Sequence, residues 1–378
     1  MEVLIVRQSC LLFSMLLAIS ASTMADPAIR LIKLFESGKD GYHTYRIPAL
    51  AVTEKGTLLA FCEGRKGSRS DSGDIDLLMR RSLDNGNTWE TVQVIVDDDG
   101  NTCGNPCPIV DRRTGTIVLL LTKNLGAINQ EQISNGTAPP RSPWITTSTD
   151  DGITWTAPVE ISDQARKPDW RWYATGPCHG IRMADGRLVA PCDHTTSNDN
   201  KDMHSHILVS DDGGKTWQIE GIQDGWTDES TVVELADGGL YLNMRNYRGT
   251  NRRAWSISRD RGVHWSPVAE DETLVEPVCQ ASVIRLSTEK THGKNRVLFS
   301  NPASVRRENL TVRLSYDECK SWPVAKTLWP GPSAYSDLVV TPDGRIGCLF
   351  ECGEKEPYET IALAFFTLDW LTDGKDRL

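Results

Sequence analysis

The sequence predicts an all-β fold, a six-bladed β-propeller with four-stranded antiparallel blades, and two internal repeats carry this prediction. The first repeat has the form S-x-D-x-G-x-T-W and occurs three times in full and twice in degraded form. Its aspartates, spaced 66, 62, 48 and 57 residues apart, are Asp84, Asp150, Asp212, Asp260 and Asp317. The second repeat, a turn followed by a short apolar run, occurs six times. Recurrence on this scale indicates stacked supersecondary units, as in propellers and solenoids.

Each copy of the first repeat, named the Asp box below, favours a tight turn between two strands. The Asp carboxylate can accept backbone N–H bonds, and the Gly permits a positive φ. The closing Trp is large and mostly apolar, so it can anchor the turn against the strands beside it. We therefore assign the Asp boxes to the outer rim of the fold and give them no catalytic role.

The second repeat predicts one further hairpin in each blade. Its copies occupy residues 54–61, 113–120, 184–191, 236–243, 292–300 and 342–350. Turn residues between short β-rich runs mark hairpins, and six hairpins, five of them followed by an Asp box, fit six blades. Residues 29–35 and 360–368 are predicted strands from the two ends of the chain. Their pairing within one blade would close the ring and remove exposed edges.

The N-terminal 25 residues differ from the rest of the chain. Arg7 precedes an apolar stretch at residues 10–19, and small residues follow up to Ala25. This pattern predicts a secretory signal peptide over residues 1–25, with an uncleaved anchor as the alternative. Residues 26–378 are predicted to form one propeller domain without a membrane span, exported to a secreted, periplasmic or lumenal location.

Charge and cysteine content limit the functional classes. The net charge of −10 argues against a nucleic-acid partner, although a local arginine cluster can still attract an anionic substrate. Nine cysteines follow the leader, and export makes disulfides possible. The candidate pairs are Cys103 with Cys107, Cys178 with Cys192, and Cys348 with Cys352. No cysteine spacing fits a zinc site, so we expect neither metal nor cofactor and place His204 and His206 at the surface.

The segment HTYRIPAL, which contains Arg46, opens the first predicted blade. An R-I-P triplet followed by several Asp boxes resembles the sialidase (neuraminidase) superfamily, and the resemblance runs from about Ile29 to Phe366. Members of that superfamily are six-bladed propellers that hydrolyse terminal sialic acids from glycans. The resemblance therefore implies an exo-α-sialidase acting on glycoproteins, glycolipids and oligosaccharides.

Three segments imply the catalytic residues of such an enzyme. The stretch EGRKGSRSD implies Asp71 as the acid/base, TDES implies Glu229 as the catalytic glutamate, and GPSAYSDL implies Tyr335 as the nucleophile. Each has an ordinary alternative. Tyr335 could be a buried strand tyrosine, Glu229 a solvated acid, and Asp71 an Asx-turn residue with Asp74 and Asp76 as rivals.

The resemblance also implies substrate-binding residues in other segments. These are Arg46, Arg65, Arg245 in LNMRNY, Arg307 in the R-x-x-L of SVRRENL, Asn105 in CGNPC, and Glu351 in LFECGEK, which orients Arg46. The neighbouring Arg306 remains an alternative to Arg307. Trp170, Trp172 and Tyr173 are equally compatible with substrate contact and with loop packing, and so are Asp193 and His194.

Hydrolysis of a sialic acid glycoside, which the resemblance implies, requires these types of catalytic and substrate-binding residues. Three guanidiniums can bind the carboxylate on the anomeric carbon of sialic acid, whereas a carboxylate nucleophile would be repelled by it. A tyrosine is neutral until Glu229 takes its proton, and sialidases are known exceptions to the two-carboxylate scheme of glycosidases. Asp71 would protonate the leaving oxygen and then activate water, with retention of configuration. A non-catalytic propeller that binds glycans or proteins and a trans-sialidase remain the alternatives.

Overall fold

The computed structural model describes residues 29–378, and the leader predicted at residues 1–25 lies outside this range. The described residues form an all-β structure whose helices are short. Among them, no helix has the length and apolar character that a membrane crossing requires. The helices are α1 (Gln130–Ser134), α2 (Ser162–Ala165), α3 (Glu289–His292) and α4 (Leu368–Leu371), with a 3-10 turn at Asn200–Asp202.

The strands follow one another along the whole described chain. In order they are β1 (Ile29–Glu36), β2 (Thr44–Val52), β3 (Leu58–Arg65), β4 (Ile75–Ser82), β5 (Gln93–Val96), β6 (Thr102–Asp111), β7 (Thr116–Asn124), β8 (Ser142–Ser148), β9 (Val159–Glu160), β10 (Tyr173–Thr175), β11 (Ile181–Arg182) and β12 (Leu188–Thr195). The second half continues with β13 (Met203–Ser210), β14 (Gln218–Glu220), β15 (Thr227–Glu234), β16 (Leu240–Asn246), β17 (Arg252–Ser258), β18 (Ala269–Val275), β19 (Ser282–Ser287), β20 (Arg296–Pro302), β21 (Glu308–Ser315), β22 (Val324–Val340), β23 (Ile346–Cys352) and β24 (Thr360–Phe366).

These strands pair antiparallel in successive groups of four. The first group is β2 to β5, the second β6 to β9 and the fourth β15 to β18. In the third group, β10 and β11 share the first position beside β12, followed by β13 and β14. The long strand β22 serves two groups, because its first half pairs with β21 and its second half with β23.

The sixth group joins the two ends of the described chain. Strand β1 pairs with β24 from Ile29 opposite Phe366 to Glu36 opposite Thr360, as the sequence predicted. Apolar clusters fill the spaces between successive groups. One of them packs Leu50 and Leu58 of the first group against Leu349 and Phe365 of the sixth, so the last group is also packed on the first.

The turns lie where the two repeats predict them. Each copy of the second repeat leads into the second strand of a group, and each Asp box connects the third strand to the fourth. In the box of residues 148–155, Asp150 Oδ1 accepts bonds from Ser148 Oγ (2.8 Å) and the Thr154 amide (2.9 Å), and Oδ2 accepts one from Thr154 Oγ1 (2.6 Å). Trp155 packs edge-on against Phe61 with ring centroids 5.9 Å apart, which anchors this turn on the neighbouring group.

Asp337 forms a second connection between the groups, at the innermost strands. It is fully buried, and its carboxylate accepts bonds from the Leu50 amide (2.8 Å), the Ser282 hydroxyl (2.8 Å) and His179 Nδ1 (2.7 Å). Burial acts to lower the pKa of His179, but the Asp337 charge outweighs this and raises it. One carboxylate thereby joins the first, fifth and sixth groups and the segment between β10 and β11.

None of the three candidate cysteine pairs forms a disulfide among the described residues. All nine cysteines there are free and buried. Cys103 and Cys107 lie on the same strand, β6, and Cys348 and Cys352 both lie on β23. Cys348 and Cys352 lie four residues apart on an extended strand and are therefore separated by roughly 13 Å, too far for a disulfide. Closeness in sequence was therefore the wrong criterion, and Cys178 and Cys192 also remain unpaired.

The prediction of surface histidines at positions 204 and 206 is also wrong. His206 is fully buried and His204 is half-buried. Strand β13 lies inside the third group, where His206 Nε2 bonds to the Tyr173 hydroxyl (3.1 Å) and Nδ1 to His194 Nδ1 (3.1 Å). His204 Nδ1 bonds to the Gln223 carbonyl (2.9 Å). Burial lowers the pKa of His206 to about 3, so its imidazole is neutral near pH 7.

Replacing Asp150 with Ala should lower the melting temperature by a few degrees and leave catalytic KM unchanged, because only turn bonds are lost. The Thr154 hydroxyl and amide lower the pKa of Asp150 to about 2, from an ordinary value of 3.8. Because the folded-state pKa is the lower one, the carboxylate stabilises the fold above about pH 4 and loses this effect as pH falls through about 2. Thermal melts of both proteins from pH 7 to 2 should show that the difference in melting temperature narrows only below pH 4. A changed KM would contradict the structural assignment.

Candidate active site

The predicted site residues converge on one cavity of about 160 Å³. Eight of the nine line it, namely Arg46, Arg65, Asp71, Asn105, Glu229, Arg245, Arg307 and Tyr335. Four of them, Arg46, Asn105, Glu229 and Tyr335, lie near the starts of β2, β6, β15 and the second half of β22. Antiparallel pairing brings the ends of β3 and β16, with Arg65 and Arg245, to the same side. A larger cavity of about 890 Å³ opens beside the other ends of these strands, and no predicted site residue lines it. The smaller cavity is therefore the candidate site.

Glu351 lies directly behind the cavity wall and is fully buried. Its Oε1 accepts bonds from Arg46 Nε (2.6 Å) and from the Ile47 amide (2.9 Å), and its Oε2 accepts one from the Tyr335 amide (3.1 Å). Ile47 has a φ of 61°, a left-handed conformation that costs a β-branched residue about 1–3 kcal/mol. The bond to Glu351 holds this conformation, so one carboxylate positions both Arg46 and Tyr335.

Tyr335, Glu229 and Arg245 form a hydrogen-bonded chain at the base of the cavity. The Tyr335 hydroxyl donates a short bond to Glu229 Oε1, and Arg245 donates to Glu229 Oε2 (2.8 Å). Arg245 also lies 3.2 Å from the Tyr335 oxygen. Burial and the Glu229 charge raise the pKa of Tyr335 well above its usual value, so the phenol is neutral in this state. A carboxylate is therefore in place to accept the phenolic proton when a reaction makes the oxygen more acidic.

Two further arginines surround the Tyr335 ring. The guanidinium carbons of Arg46 and Arg307 lie 5.2 Å and 5.5 Å from the ring centroid. Arg307 donates to the Tyr358 hydroxyl (2.6 Å), and Arg46 stacks on the same Tyr358 ring at 4.1 Å. The adjacent Arg306 is exposed and pairs with Glu308 at 2.9 Å, so the structure brings Arg307 and not Arg306 to the cavity.

Asp71 lies in the loop between β3 and β4, above the arginines. Its side chain is 64% exposed, and its Oδ1 is 2.8 Å from Arg65 and 3.9 Å from Arg46. Desolvation acts to raise the pKa of Asp71, but the charges of Arg65 and Arg46 outweigh it and lower the pKa. The rivals Asp74 and Asp76 instead contact Lys66 at 2.9 Å and 3.1 Å, outside the cavity. Asp71 is thus the aspartate of this loop that reaches the candidate site.

Glu63 supports this side of the cavity. Its Oε2 accepts bonds from Arg65 Nε (3.0 Å) and Nη2 (2.6 Å), and its Oε1 accepts one from the Asn105 amide (2.9 Å). Asn105 lines the cavity with a left-handed φ of 55°. No role for Glu63 was predicted, although the E-x-R spacing places both side chains on one face of β3.

The structure distinguishes the residues around the aromatic segment that line the cavity from those that pack in the core. Trp172 lines the cavity, whereas Trp170 and Tyr173 pack in the core, with Trp170 stacked on His194 at 3.5 Å. Asp193 lines the cavity and His194 does not. Seven residues that line the cavity were not predicted as site residues, namely Ile47, Glu63, Gln130, Arg141, Ala174, Asp228 and Tyr247. Asp228 and Tyr247 flank Glu229 and Arg245 within the quoted motifs, so their positions were the available signal.

Comparison with known proteins identifies the family. Residues 56–348 match the BNR repeat-like domain. The chain is 35% identical over 89% of its length to a sialidase from Micromonospora viridifaciens, of which it spans 53%. It is 32% identical over 89% of its length to an exo-alpha-sialidase from Arthroderma benhamiae, of which it spans 86%.

The chain belongs to the sialidase superfamily.

A solved structure, the Hadza microbial sialidase Hz136, agrees with this membership. It superposes with a TM-score of 0.81 at 31% identity, over 90% of this chain and 69% of the other. Within this superfamily the chain is a glycoside hydrolase, and the cavity lined by Tyr335 and Glu229 is its candidate active site.

Replacing Glu351 with Ala should reduce the free energy of unfolding by about 3–5 kcal/mol, because it removes the buried carboxylate that pairs with the buried Arg46. Replacing Glu308 with Ala is the matched control. That carboxylate also pairs with an arginine, but the pair is exposed to solvent, so its loss should change the free energy of unfolding little. Denaturant unfolding of both variants measures the difference. Equal and small losses would show that Glu351 does not hold this part of the fold.

Proposed function

We propose that this chain is a retaining exo-α-sialidase that releases terminal sialic acids from glycoproteins, glycolipids and oligosaccharides, with Tyr335 as nucleophile. The observation that carries the proposal is the Tyr335–Glu229 hydrogen bond among Arg46, Arg245 and Arg307. Membership of the sialidase superfamily supports the substrate class. The fold we propose for residues 26–378 is a closed six-bladed propeller, supported by the six four-stranded groups and the β1–β24 pairing.

The three arginines account for substrate binding. Sialic acid carries a carboxylate on its anomeric carbon, and guanidiniums bind carboxylates with charge-assisted and often bidentate bonds. Arg46 is fixed by Glu351, Arg245 by Glu229 and Arg307 by Tyr358. Because these partners hold the guanidiniums before the ligand arrives, little side-chain entropy is lost on binding. The carboxylate held there places the anomeric carbon next to the Tyr335 oxygen.

In the first step, Tyr335 Oη forms a bond to the anomeric carbon while the bond to the leaving oxygen breaks. Glu229 takes the phenolic proton, and Arg245 stabilises the negative charge that develops on the tyrosine oxygen. Asp71 gives a proton to the leaving oxygen. In the second step, Asp71 removes a proton from water, the water oxygen displaces Tyr335, and Glu229 returns the proton to the phenolate. Two displacements retain the anomeric configuration.

The exposed position of Asp71 suits this double task. Arg65 and Arg46 favour its ionised form in the free protein, as its lowered pKa shows. A substrate carboxylate bound at Arg46 offsets part of this positive charge and so raises the proton affinity of Asp71 in the complex. The acid form therefore becomes available when the substrate is bound.

We also propose that the protein is exported, on the basis of the leader-like residues 1–25. Transfer of the sugar to another glycan, as in a trans-sialidase, would use the same residues, and product analysis with and without added lactose separates the two activities. A non-catalytic glycan-binding propeller would need neither the Tyr335–Glu229 pair nor Asp71 above it, so the geometry favours catalysis.

Replacing Tyr335 with Phe should abolish nearly all hydrolysis of an α-sialoside, because the nucleophilic oxygen is removed, while the fold is kept. Turnover of a fluorogenic α-sialoside and the anomer first released, followed by NMR, are the measurements. Replacing the core residue Tyr173 with Phe is the control and should leave turnover close to that of the unchanged protein. Substantial retaining turnover in the Tyr335 variant would exclude it as the nucleophile.

Replacing Asp71 with Ala should reduce kcat/KM for sialyllactose by roughly 10²–10⁴-fold, the usual range for general acid–base catalysis. The loss in the first step should be smaller for an aryl sialoside, whose phenolate leaves without protonation. Burst and steady-state kinetics on both substrates measure this difference. The same loss of the first step on both substrates would be inconsistent with an acid role for Asp71. Asp74→Ala is the matched control in the same loop.

A further inference from the structure

Arg141 is a cavity residue for which neither the motifs nor the proposed mechanism provides a role. It immediately precedes β8, is only 2% exposed and lines the candidate site. Its guanidinium carbon lies 4.3 Å from the centre of the Trp172 ring, which also lines the cavity. The Arg141 amide donates to the Arg171 carbonyl (3.1 Å), so the backbone fixes the stacked pair. The pair forms a rigid part of the cavity wall.

The charge of Arg141 is less well paired than that of the other arginines in this cavity. Arg46, Arg65 and Arg245 each bond to a carboxylate, and Arg307 bonds to a tyrosine hydroxyl. Arg141 Nε is buried without a hydrogen-bond partner in the described part of the chain. Burial, opposed by the more distant charges of Glu63, Asp71 and Asp193, lowers the pKa of Arg141 to about 10, so the guanidinium remains charged at pH 7. A buried cation with unused donors fits a ligand that brings hydrogen-bond acceptors.

The position of Arg141 indicates which part of a sialic acid it would meet, given the proposed function. Tyr335 and Arg307 belong to the sixth and fifth strand groups, whereas Arg141 and Trp172 lie in the second and third. In a six-membered arrangement the second group faces the fifth, and the third faces the sixth. In the sugar ring, C5 lies directly across from the anomeric carbon C2. A substrate whose C2 is held at Tyr335 therefore presents C4 and C5 toward Arg141.

We propose that Arg141 is a substrate-binding residue that donates hydrogen bonds to an acceptor oxygen on the C4–C5 edge of the sialic acid ring and so determines which substituents are accepted there. This inference rests on the proposed function and adds a specificity determinant to it. Trp172 stacks on the guanidinium plane, and the buried carboxyl group of Asp193, which neighbours Asp228, lies on the same cavity lining. This edge of the site is therefore polar and charged, in contrast to an apolar acyl pocket.

The test compares Arg141→Met and Arg141→Lys with the unchanged protein on three α-sialosides. These are the N-acetylated parent, its 4-deoxy analogue, and the analogue that lacks the C5 substituent. Lys123→Met is the matched control, because Lys123 stacks on Trp144 at 4.5 Å in the same sheet but outside the cavity. We expect Arg141→Met to lower kcat/KM for the parent roughly ten- to a hundredfold, mainly through KM, as for the loss of a charged hydrogen bond.

On the analogue that lacks the contacted group, the unchanged protein and Arg141→Met should become nearly equal. Arg141→Lys keeps the charge without the planar fork and should fall between them on the parent. An equal loss on all three substrates would indicate a purely structural role and overturn the proposal, as would no loss on any. Failure of the proposed function is distinct, because the unchanged protein would then release no sialic acid from the parent.

Discussion

The carboxylate of Glu351 is the interaction on which the rest of the site depends. It accepts bonds from Arg46, from the strained backbone of Ile47 and from the backbone of Tyr335, and it is fully buried. Arg46 belongs to the first strand group, whereas Tyr335 and Glu351 belong to the sixth. The same carboxylate therefore connects the first and sixth strand groups and fixes the position of Arg46 relative to Tyr335, the residues to which the proposed function assigns anion binding and nucleophilic attack. Stability and reactivity are coupled here, because a change in one bond alters both.

Three arginines of the cavity are each paired with a carboxylate or a phenol, which reduces the cost of burying their charges. Arg46 bonds to the carboxylate of Glu351 and Arg245 to that of Glu229, and Arg307 bonds to the Tyr358 hydroxyl. Under the proposed function, the substrate carboxylate would add bonds to these guanidiniums while their existing bonds remain. Tyr335 is neutral in this state, so under the proposed mechanism the nucleophile carries no fixed negative charge that would oppose the carboxylate of the substrate.

The sequence was informative where function depends on local pattern. Both hairpin repeats were predictable, because the residues that form a turn, such as those around Asp150, are consecutive in the sequence. Eight of the nine predicted site residues line one cavity, and Glu351 lies directly behind its wall. The predictions were wrong where the environment of a side chain depends on residues that are distant in sequence. Cys348 and Cys352 are close in sequence but far apart on a strand, and His206 points into a core formed by distant segments. Asp337, Tyr358 and Arg141 were missed because their partners lie on other strand groups or on separate loops.

The pairing of β1 with β24 has a consequence for how the protein acquires its structure. Residues Ile29 and Phe366, 337 positions apart, are direct neighbours in this ladder. Contacts of such long sequence separation make folding slow, because the chain entropy of closing the loop must be lost before the ladder forms. More than 320 residues separate β1 from β24, so during synthesis the edge of β1 stays unpaired until all the strands between them have been made. In that interval the unpaired edge of β1 is open to incorrect pairing with other strands, which is a known route to aggregation.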